Sequence, residues 1–315
     1  VSKQDAVYLL RKAYDGGMNF YDTARSYSDS EEKLGEAFSG MWDKIVIATK
    51  IPAVDVPRFW DDLHTSLRML RRDHIDIFQF HNPPISPRPG DDGGLYDAML
   101  EAKQEGKIRF IGMTNHRLDV AQEAINSGLY DTLQFPLSYL STDKELELVQ
   151  ACKEKEIGFI AMKALSGGLI TDSAAACAWL SRFGHVIPIW GIQRERELDE
   201  FLSYIPTPPA LSDEMMDRIE VDRQELQGNF CRGCGYCMPC PQGISINMCA
   251  RASLLLRRAP SEIILSEDGQ QMMKKIEDCT ECGQCSEKCP YGLDVPELLK
   301  KNYEDVKEVL AGKPI

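Results

Sequence analysis

Residues 1 to about 205 alternate short apolar runs with amphipathic stretches, and this alternation limits the possible folds more than any other feature of the chain. Seven runs have the length and apolar content of buried strands, and they span residues 18–24, 44–50, 75–81, 108–115, 132–137, 158–165 and 185–192. A helical pattern follows each run, and one more helix comes first, ended by Gly16 and Gly17. Near-continuous apolar strands that alternate with helices predict a parallel sheet covered on both faces.

Eight helices against seven strands predict a (β/α)8 TIM barrel whose first strand is missing from the sequence. Each unit of such a barrel is a strand followed by a helix, so the leading helix needs a strand before it. The chain begins at Val1, and we expect the first strand to lie upstream of that residue. The alternative is an open seven-stranded sheet, which would leave its edge strands unpaired.

Length, charge and hydropathy narrow the class of protein. The 315 residues are enough for one large domain and a small one. The formal net charge of −13 argues against nucleic acid as a partner, because phosphate binding needs a basic face. No apolar run approaches the roughly 18 residues that a membrane span requires, so we expect no membrane partner.

Eight cysteines lie in two similar motifs, "CRGCGYCMPCP" from residue 231 and "CTECGQCSEKCP" from residue 279. In each motif three cysteines recur at steps of three and a fourth precedes proline, as in two-cluster ferredoxins, where the fourth cysteine binds the other cluster. This pattern predicts two [4Fe–4S] clusters. One would be held by Cys231, Cys234, Cys237 and Cys289, and the other by Cys279, Cys282, Cys285 and Cys240.

Two points about these motifs stay open. The first motif has two residues rather than three before its last cysteine, so the spacing there departs from the one on which the crossover assignment is based. Structural zinc sites are the alternative, although they do not explain the third cysteine of each motif or the terminal Cys-Pro. Closely spaced thiolates indicate a reducing compartment, and we expect a cytoplasmic protein.

The proline-rich segment "YIPTPPALS" at residues 204–212 marks a change of region. We expect the barrel over residues 1–205, a linker and helix over 206–228, and a dicluster domain over 229–315. The segment between the cysteine motifs has a helical pattern. The last domain therefore resembles the α-helical ferredoxin class.

The barrel region carries four stretches of high specificity, "GMNFYDTARSYSDSEEKLGEAF" (17–38), "VIATK" (46–50), "IDIFQFHNP" (75–83) and "GKIRFIGMTN" (106–115). Each lies at or just after the C-terminal end of a predicted strand, where barrel active sites lie. In these stretches residues 1–205 resemble the aldo-keto reductase family. With the cysteine motifs, the whole chain resembles the members of that family that carry a C-terminal iron–sulfur domain.

The resemblance implies a catalytic tetrad and a reaction. The tetrad would consist of Asp22, Tyr27, Lys50 and His81. Hydride would pass from NADP(H) or NAD(H) to a carbonyl carbon, and Tyr27 would protonate the oxygen. A phenol with a pKa of roughly 10 is a poor acid at neutral pH, so we expect the Lys50 ammonium, supported by Asp22, to lower that pKa. His81 would orient the carbonyl oxygen.

Contacts to the dinucleotide are implied by the same resemblance. Those to the nicotinamide carboxamide would be Thr114, Asn115 and Gln134. Those to the pyrophosphate would lie in "KALSGGL" (163–169), at Lys163, Leu165, Gly167 and Gly168. Those to the adenosine end would be Gly191, Arg194 and Glu200. Glu197 stands where many members have the arginine for the 2′-phosphate and Phe201 replaces an asparagine, so the choice between NADPH and NADH is open.

The leading hypothesis is an NAD(P)H-dependent reductase of small-molecule carbonyls, or an oxidant of the corresponding alcohols, with two [4Fe–4S] clusters. The alternative is an iron–sulfur electron-transfer protein whose barrel docks a redox partner. A third interpretation makes the clusters purely structural. Nicotinamide gives two electrons together and a cluster accepts one, so we expect no direct transfer between them. The clusters would exchange electrons with an outside partner such as a ferredoxin, or would mainly hold the domain together.

Overall fold

The structure is a computed structural model, and it describes residues 1–52, 54–226, 230–258 and 261–314. The chain divides into two compact units, Val1–Ala164 with Cys177–Ala210, and Leu165–Ala176 with Leu211–Ile315. The expected range of the barrel, 1–205, differs from this division chiefly at residues 165–176, which group with the C-terminal unit. The expected boundary at residues 228–229 lies outside the described residues.

The first unit contains one sheet of seven parallel strands in chain order. The strands are β1 Phe20–Asp22, β2 Val46–Ile51, β3 Ile75–His81, β4 Ile108–Thr114, β5 Thr132–Pro136, β6 Gly158–Met162 and β7 Val186–Pro188. Each falls within or nearly within one of the apolar runs. The prediction of a parallel sheet is confirmed.

Helices follow the strands throughout this part of the chain. They are α1 Lys3–Asp15, α2 Ser30–Ala37, α3 Val56–Leu70, α4 Leu95–Gln104, α5 Leu118–Ser127, α6 Asp143–Glu154, α7 Ser173–Leu180 and α8 Glu195–Ser203. Their starts have local causes. The Asp55 side chain accepts a hydrogen bond from the Arg58 backbone N–H at the start of α3, and Thr142 with Glu145 forms a capping box at the start of α6.

The strand interiors form the core that fixes the positions of the strand ends. Phe78 and Phe80 of β3 are fully buried, as are Ile47 of β2 and Phe159 of β6. Burying such a side chain contributes about 1.5–3 kcal/mol. The register places His81 of β3 opposite Thr114 of β4. Side chains at the C-terminal ends of neighbouring strands therefore lie at one edge of the sheet.

In the residues that the structure describes, the second unit consists of helices joined by loops. Its helices are α9 Asp213–Glu225, α10 Ile246–Cys249, α11 Ala252–Arg258, α12 Glu262–Leu265, α13 Glu267–Lys274, α14 Gln284–Glu287 and α15 Val295–Leu310. Asn302 of α15 is buried, and its amide accepts from Ser253 N at 2.9 Å and donates to Ala250 O at 3.3 Å. This amide joins α15 to the start of α11. Among the described residues, no helix is long and apolar enough to cross a bilayer.

Candidate functional site

Asp22 and Lys50 form a buried ion pair at the C-terminal ends of β1 and β2. Lys50 Nζ lies 2.6 Å from Asp22 Oδ2 and donates a second hydrogen bond of 2.7 Å to the backbone oxygen of Thr23. The two side chains are only 1% and 8% exposed. A buried charge is tolerated when it is paired and hydrogen-bonded, and this arrangement meets both conditions.

Tyr27 and His81 lie beside this pair. Tyr27 follows β1 in a loop and is 46% exposed. Its ring centroid lies 5.2 Å from Lys50 Nζ and 5.8 Å from the centroid of His81, which it meets edge-on. The structure thus brings all four residues of the expected tetrad together, three from the ends of adjacent strands and one from the loop after the first.

The acidity of Tyr27 differs from the expectation. Although the residue as a whole is 46% exposed, its hydroxyl end is largely buried. Burial of the hydroxyl, followed by the negative charge of Asp22, raises the pKa of Tyr27 to about 12. We expected Lys50 to lower this pKa, and that expectation is wrong. Lys50 Nζ donates its hydrogen bonds to Asp22 and Thr23 rather than to the phenol, and burial has the larger effect on the acidity of Tyr27.

His81 is held in its neutral form. Burial, followed by the charge of Lys50, lowers the pKa of His81 to about 4. Its Nδ1 lies 3.4 Å from Ser26 Oγ. When the Ser26 hydroxyl donates to Nδ1, the imidazole carries its proton on Nε2 and can donate it in a hydrogen bond.

Two of the side chains expected at the carboxamide, Asn115 and Gln134, are already bonded within the protein. Asn115 Nδ2 donates to Pro83 O at 2.9 Å, while its Oδ1 accepts from His116 N and Arg117 N, both at 2.9 Å. The Asn115 amide therefore shapes the turn after β4. Gln134 Oε1 accepts from Gln79 Nε2 at 2.7 Å. Thr114, also buried, has its hydroxyl 3.8 Å from the sulfur of Met162.

Gln79 is a buried polar residue that the sequence analysis missed. It lies in β3, and its Oε1 has no hydrogen-bond partner among the described residues, as is also true of Asp22 Oδ1. Buried acceptors without donors are rare. These two atoms lie on β1 and β3, whose ends carry the tetrad, so they fit the amide donors of a nicotinamide. The signal was present in the sequence as a glutamine inside the apolar run "IDIFQFH".

The residues expected to contact the pyrophosphate are divided between the two units. Lys163, with a φ of 58°, follows β6 in the first unit, whereas Leu165, Gly167 and Gly168 belong to the second. Gly167 and Gly168 have φ values of 66° and 91°, which glycine adopts without strain.

At the expected adenosine end, Gly191, Arg194 and Glu200 lie in the first unit. The guanidinium of Arg194 lies 3.6 Å from the carboxylate of Glu197. Phe201 stacks on Trp190 with ring centroids 4.4 Å apart. This packing explains why an apolar residue occupies the position, where the resemblance led us to expect asparagine.

The eight motif cysteines surround two cavities in the second unit. One cavity has about 350 Å³ of empty space and is lined by Cys231, Cys234, Cys237 and Cys289. The other has about 400 Å³ and is lined by Cys240, Cys279, Cys282 and Cys285, with Cys237 at its border. In each cavity the first three cysteines of one motif lie with the last cysteine of the other motif, which is the expected grouping. We call them the first and the second cysteine cavity.

The donor set at both cavities fits iron–sulfur clusters. Every motif cysteine is a free thiol. In the described part of the chain, no three His, Cys, Asp or Glu side chains converge closely enough to hold a single metal ion. A four-iron cluster is larger than one ion and takes its ligands from around its surface, as the cysteines around these cavities are placed. Zinc would need four donors around one point.

Residues 1–176 match the aldo/keto reductase family, and residues 230–294 match the 4Fe-4S dicluster domain. The chain belongs to the aldo/keto reductase family. More particularly, it is a family chain with a C-terminal iron–sulfur domain. The family resemblance and the assignment of a 4Fe–4S domain are both confirmed.

Curated relatives match about half of the chain. L-galactose dehydrogenase of Arabidopsis thaliana is 29% identical over 187 residues, which cover 55% of this chain and 59% of the relative. NADH-specific methylglyoxal reductase of Escherichia coli is 26% identical over 196 residues, covering 55% and 60%. The chain spans about three fifths of the length of these relatives.

Solved structures share the fold. An aldo-keto reductase from Bacillus halodurans in its holo form has a TM-score of 0.61 at 20% identity, covering 70% of this chain and 88% of that one. One from Klebsiella pneumoniae in complex with NADPH has a TM-score of 0.59 at 23% identity, covering 70% and 84%. The prediction of a (β/α)8 barrel is confirmed, with seven of its strands in the described residues.

Proposed function

We propose that the chain is an NAD(P)H-dependent oxidoreductase that reduces the carbonyl of a small molecule and carries two [4Fe–4S] clusters. The observation that carries the proposal is the buried Asp22–Lys50 pair with Tyr27 and His81 beside it. A bound NAD(P)H would supply hydride to the carbonyl carbon. The side chains of the tetrad would donate the proton to the carbonyl oxygen and stabilise the negative charge that develops on it.

Tyr27 is the proton donor in this proposal. A phenol with a pKa of about 12 keeps its proton at neutral pH. It would release that proton only to a strong base, and the oxygen becomes one as hydride arrives. Proton transfer would then follow the build-up of charge on the oxygen rather than precede it.

His81 and Lys50 would stabilise that charge. The neutral imidazole of His81 can donate a hydrogen bond to the carbonyl oxygen and orient it towards Tyr27. The ammonium of Lys50 adds a fixed positive charge in a buried site, where charge is weakly screened. Asp22 keeps the lysine in place and compensates its charge when the site is empty of substrate.

Cofactor contacts follow from the same arrangement. Gln79, Gln134 and Thr114 would bind the carboxamide, while Asn115 would act by holding the turn after β4. We propose Lys163, Leu165, Gly167 and Gly168 for the pyrophosphate. We propose Gly191, Arg194 and Glu200 for the adenosine end.

The clusters would be held by the eight cysteines in the two cavities. Each cluster exchanges one electron at a time. Their partner would be a small one-electron carrier of the ferredoxin type. The electron-transfer alternative has the iron–sulfur domain in its favour, but it gives no role to the tetrad.

The test is an assay of anaerobically prepared protein with a panel of small aldehydes and ketones, following oxidation of NADPH and of NADH separately. We expect carbonyl-dependent oxidation of at least one of them, with the alcohol as product. If no carbonyl in the panel is reduced while the clusters are intact, the reductase proposal fails and the electron-transfer alternative takes its place.

A further inference from the structure

Arg251 is a buried arginine that the proposed reaction does not use. It lies between α10 and α11 and is 7% exposed. One of its terminal nitrogens donates to the backbone oxygen of Gly167 at 2.6 Å, while its Nε has no hydrogen-bond partner among the described residues. An arginine keeps its positive charge in proteins.

No carboxylate in the described part of the chain forms an ion pair with Arg251. Burial of an unpaired charge is unfavourable unless an opposite charge compensates it. The position of Arg251 therefore indicates that something negative lies close to it in the loaded protein.

The loop of the first cysteine motif packs directly against this guanidinium. Gly233 lies between Cys231 and Cys234, and a Cβ atom at this position would collide with the Arg251 guanidinium. Gly233 also has a φ of 65°, which favours glycine. Arg251 is thus close enough to the first cysteine cavity to act on its ligands.

A second arginine lines the first cysteine cavity itself. Arg232 lies between the rings of Phe230 and Tyr291, with its guanidinium 4.5 Å from each ring centroid. Stacking of this kind holds the planar group in place. Two fixed positive charges therefore accompany the first cavity.

The second cysteine cavity has the opposite character. Its described lining contains no cationic side chain, and Glu281 is among its members. Glu281 pairs with Lys300 at 2.5 Å, and both side chains are more than half exposed. Because exposed pairs are screened by water and salt, this pair has little effect on a nearby charge.

Reduction of a cluster adds one negative charge to it. Nearby positive charge and hydrogen bonds to the sulfurs stabilise the reduced state and raise the reduction potential. The backbone N–H of Gly233 already donates to the sulfur of Cys231 at 3.4 Å. Cys282 is exposed, so water near it also stabilises the reduced state of the second cluster. A full charge buried away from water has a stronger effect, because it is less screened.

We propose that Arg251 raises the reduction potential of the cluster held by Cys231, Cys234, Cys237 and Cys289, so that this cluster accepts an electron before the other one. This inference depends on the proposed function in one respect, which is that both clusters are present. It assigns Arg251 the role of a tuning residue, and it gives the protein a defined order of cluster reduction.

The experiment compares wild type, Arg251→Gln and Arg251→Lys, with Arg257→Gln as the matched control. Arg257 lies on α11 and pairs with Asp305 at 2.6 Å, so the control removes the same charge from an already neutralised site. Iron and sulfide are measured first. The reduction of each cluster is then followed by anaerobic redox titration with visible and electron paramagnetic resonance detection.

We expect two distinct potentials in wild type. In Arg251→Gln the higher of the two potentials should fall by at least about 59 mV. For a one-electron couple this is a tenfold change in the ratio of reduced to oxidised cluster. The lower potential should stay in place. Arg251→Lys should keep most of the wild-type value, and Arg257→Gln should match wild type.

Unchanged potentials in an Arg251→Gln protein that holds both clusters would overturn the inference and leave the proposed function intact. An equal shift in Arg257→Gln would also overturn it, since the effect would then be one of net charge. Loss of the same cluster in both Arg251 variants would make the residue a structural support instead. A wild-type protein without two clusters would contradict the proposed function and the inference together.

Discussion

Lys50 Nζ lies 2.6 Å from Asp22 Oδ2, and both groups are buried. Burial is the main reason that Tyr27 is a weak acid and that His81 stays neutral, and the charges of this pair add to both effects.

Asp22→Asn should therefore cost both stability and activity. Removal of one partner from a buried ion pair leaves an uncompensated charge, which destabilises a protein by about 3–5 kcal/mol. Urea unfolding and turnover measure the two effects. Asp29→Asn is the matched control, because Asp29 pairs with Lys33 at the surface, where the loss of stability should be small. Equal stability of the two variants would contradict the account of the pair.

The metal content should match two four-iron clusters. Anaerobic protein should hold about eight iron and eight sulfide per chain. Cys289→Ser should reduce both to about four, because Cys289 lines only the first cysteine cavity. Cys249→Ser is the control and should keep the full content, since its sulfur contacts Met272 O at 3.6 Å and lines neither cavity. Zinc in place of iron would end this part of the account.

We expect the adenosine end to give little preference for NADPH over NADH. Glu197 places a carboxylate 3.6 Å from Arg194, and this negative charge opposes a 2′-phosphate. Glu197→Arg should raise the preference for NADPH over NADH by about tenfold or more, since each charge-assisted hydrogen bond contributes about 1.5–3 kcal/mol. Glu214→Arg, in α9, is a control for net charge. If kcat/KM for the two coenzymes changes equally in both variants, the adenosine end lies elsewhere.

The depressed pKa of His81 predicts a pH dependence of stability with a definite sign. The folded protein holds His81 neutral down to about pH 4, whereas the unfolded chain takes up the proton near pH 6.5. Between these values the unfolded state binds more protons, so stability falls as the pH falls. His81→Gln should lose part of this slope between pH 7 and pH 5 in urea unfolding, while His64→Gln should keep it. A slope that His81→Gln leaves unchanged would show that His81 does not titrate in this way.

Much of the barrel could be predicted from local sequence. The apolar runs located the strands, because buried parallel strands need apolar residues on both faces. The tetrad could be expected only from the resemblance to the aldo-keto reductase family, which rests on stretches at the ends of adjacent strands.

What failed depended on contacts between distant residues. The effect of Lys50 on Tyr27 was misjudged, since the hydrogen bonds of the ammonium to Asp22 and Thr23 become visible only in the folded chain. The bonding of the Asn115 amide within its own turn was not foreseen for the same reason. Gln79 was overlooked because a single polar residue does not interrupt an apolar run. Residues 165–176 group with the C-terminal unit, and nothing in their local sequence indicates it.

The central claim is that Tyr27 donates the proton in carbonyl reduction, and Tyr27→Phe tests it most directly. The variant keeps the ring beside Lys50 and His81 and removes only the hydroxyl. Turnover with the best carbonyl substrate should fall by about 10²–10⁴-fold, the usual contribution of general acid catalysis, while the Kd for NAD(P)H stays within about twofold of wild type. Tyr8→Phe, which removes an exposed hydroxyl bonded to Glu195, should retain full turnover. Wild-type turnover in Tyr27→Phe would contradict the assignment.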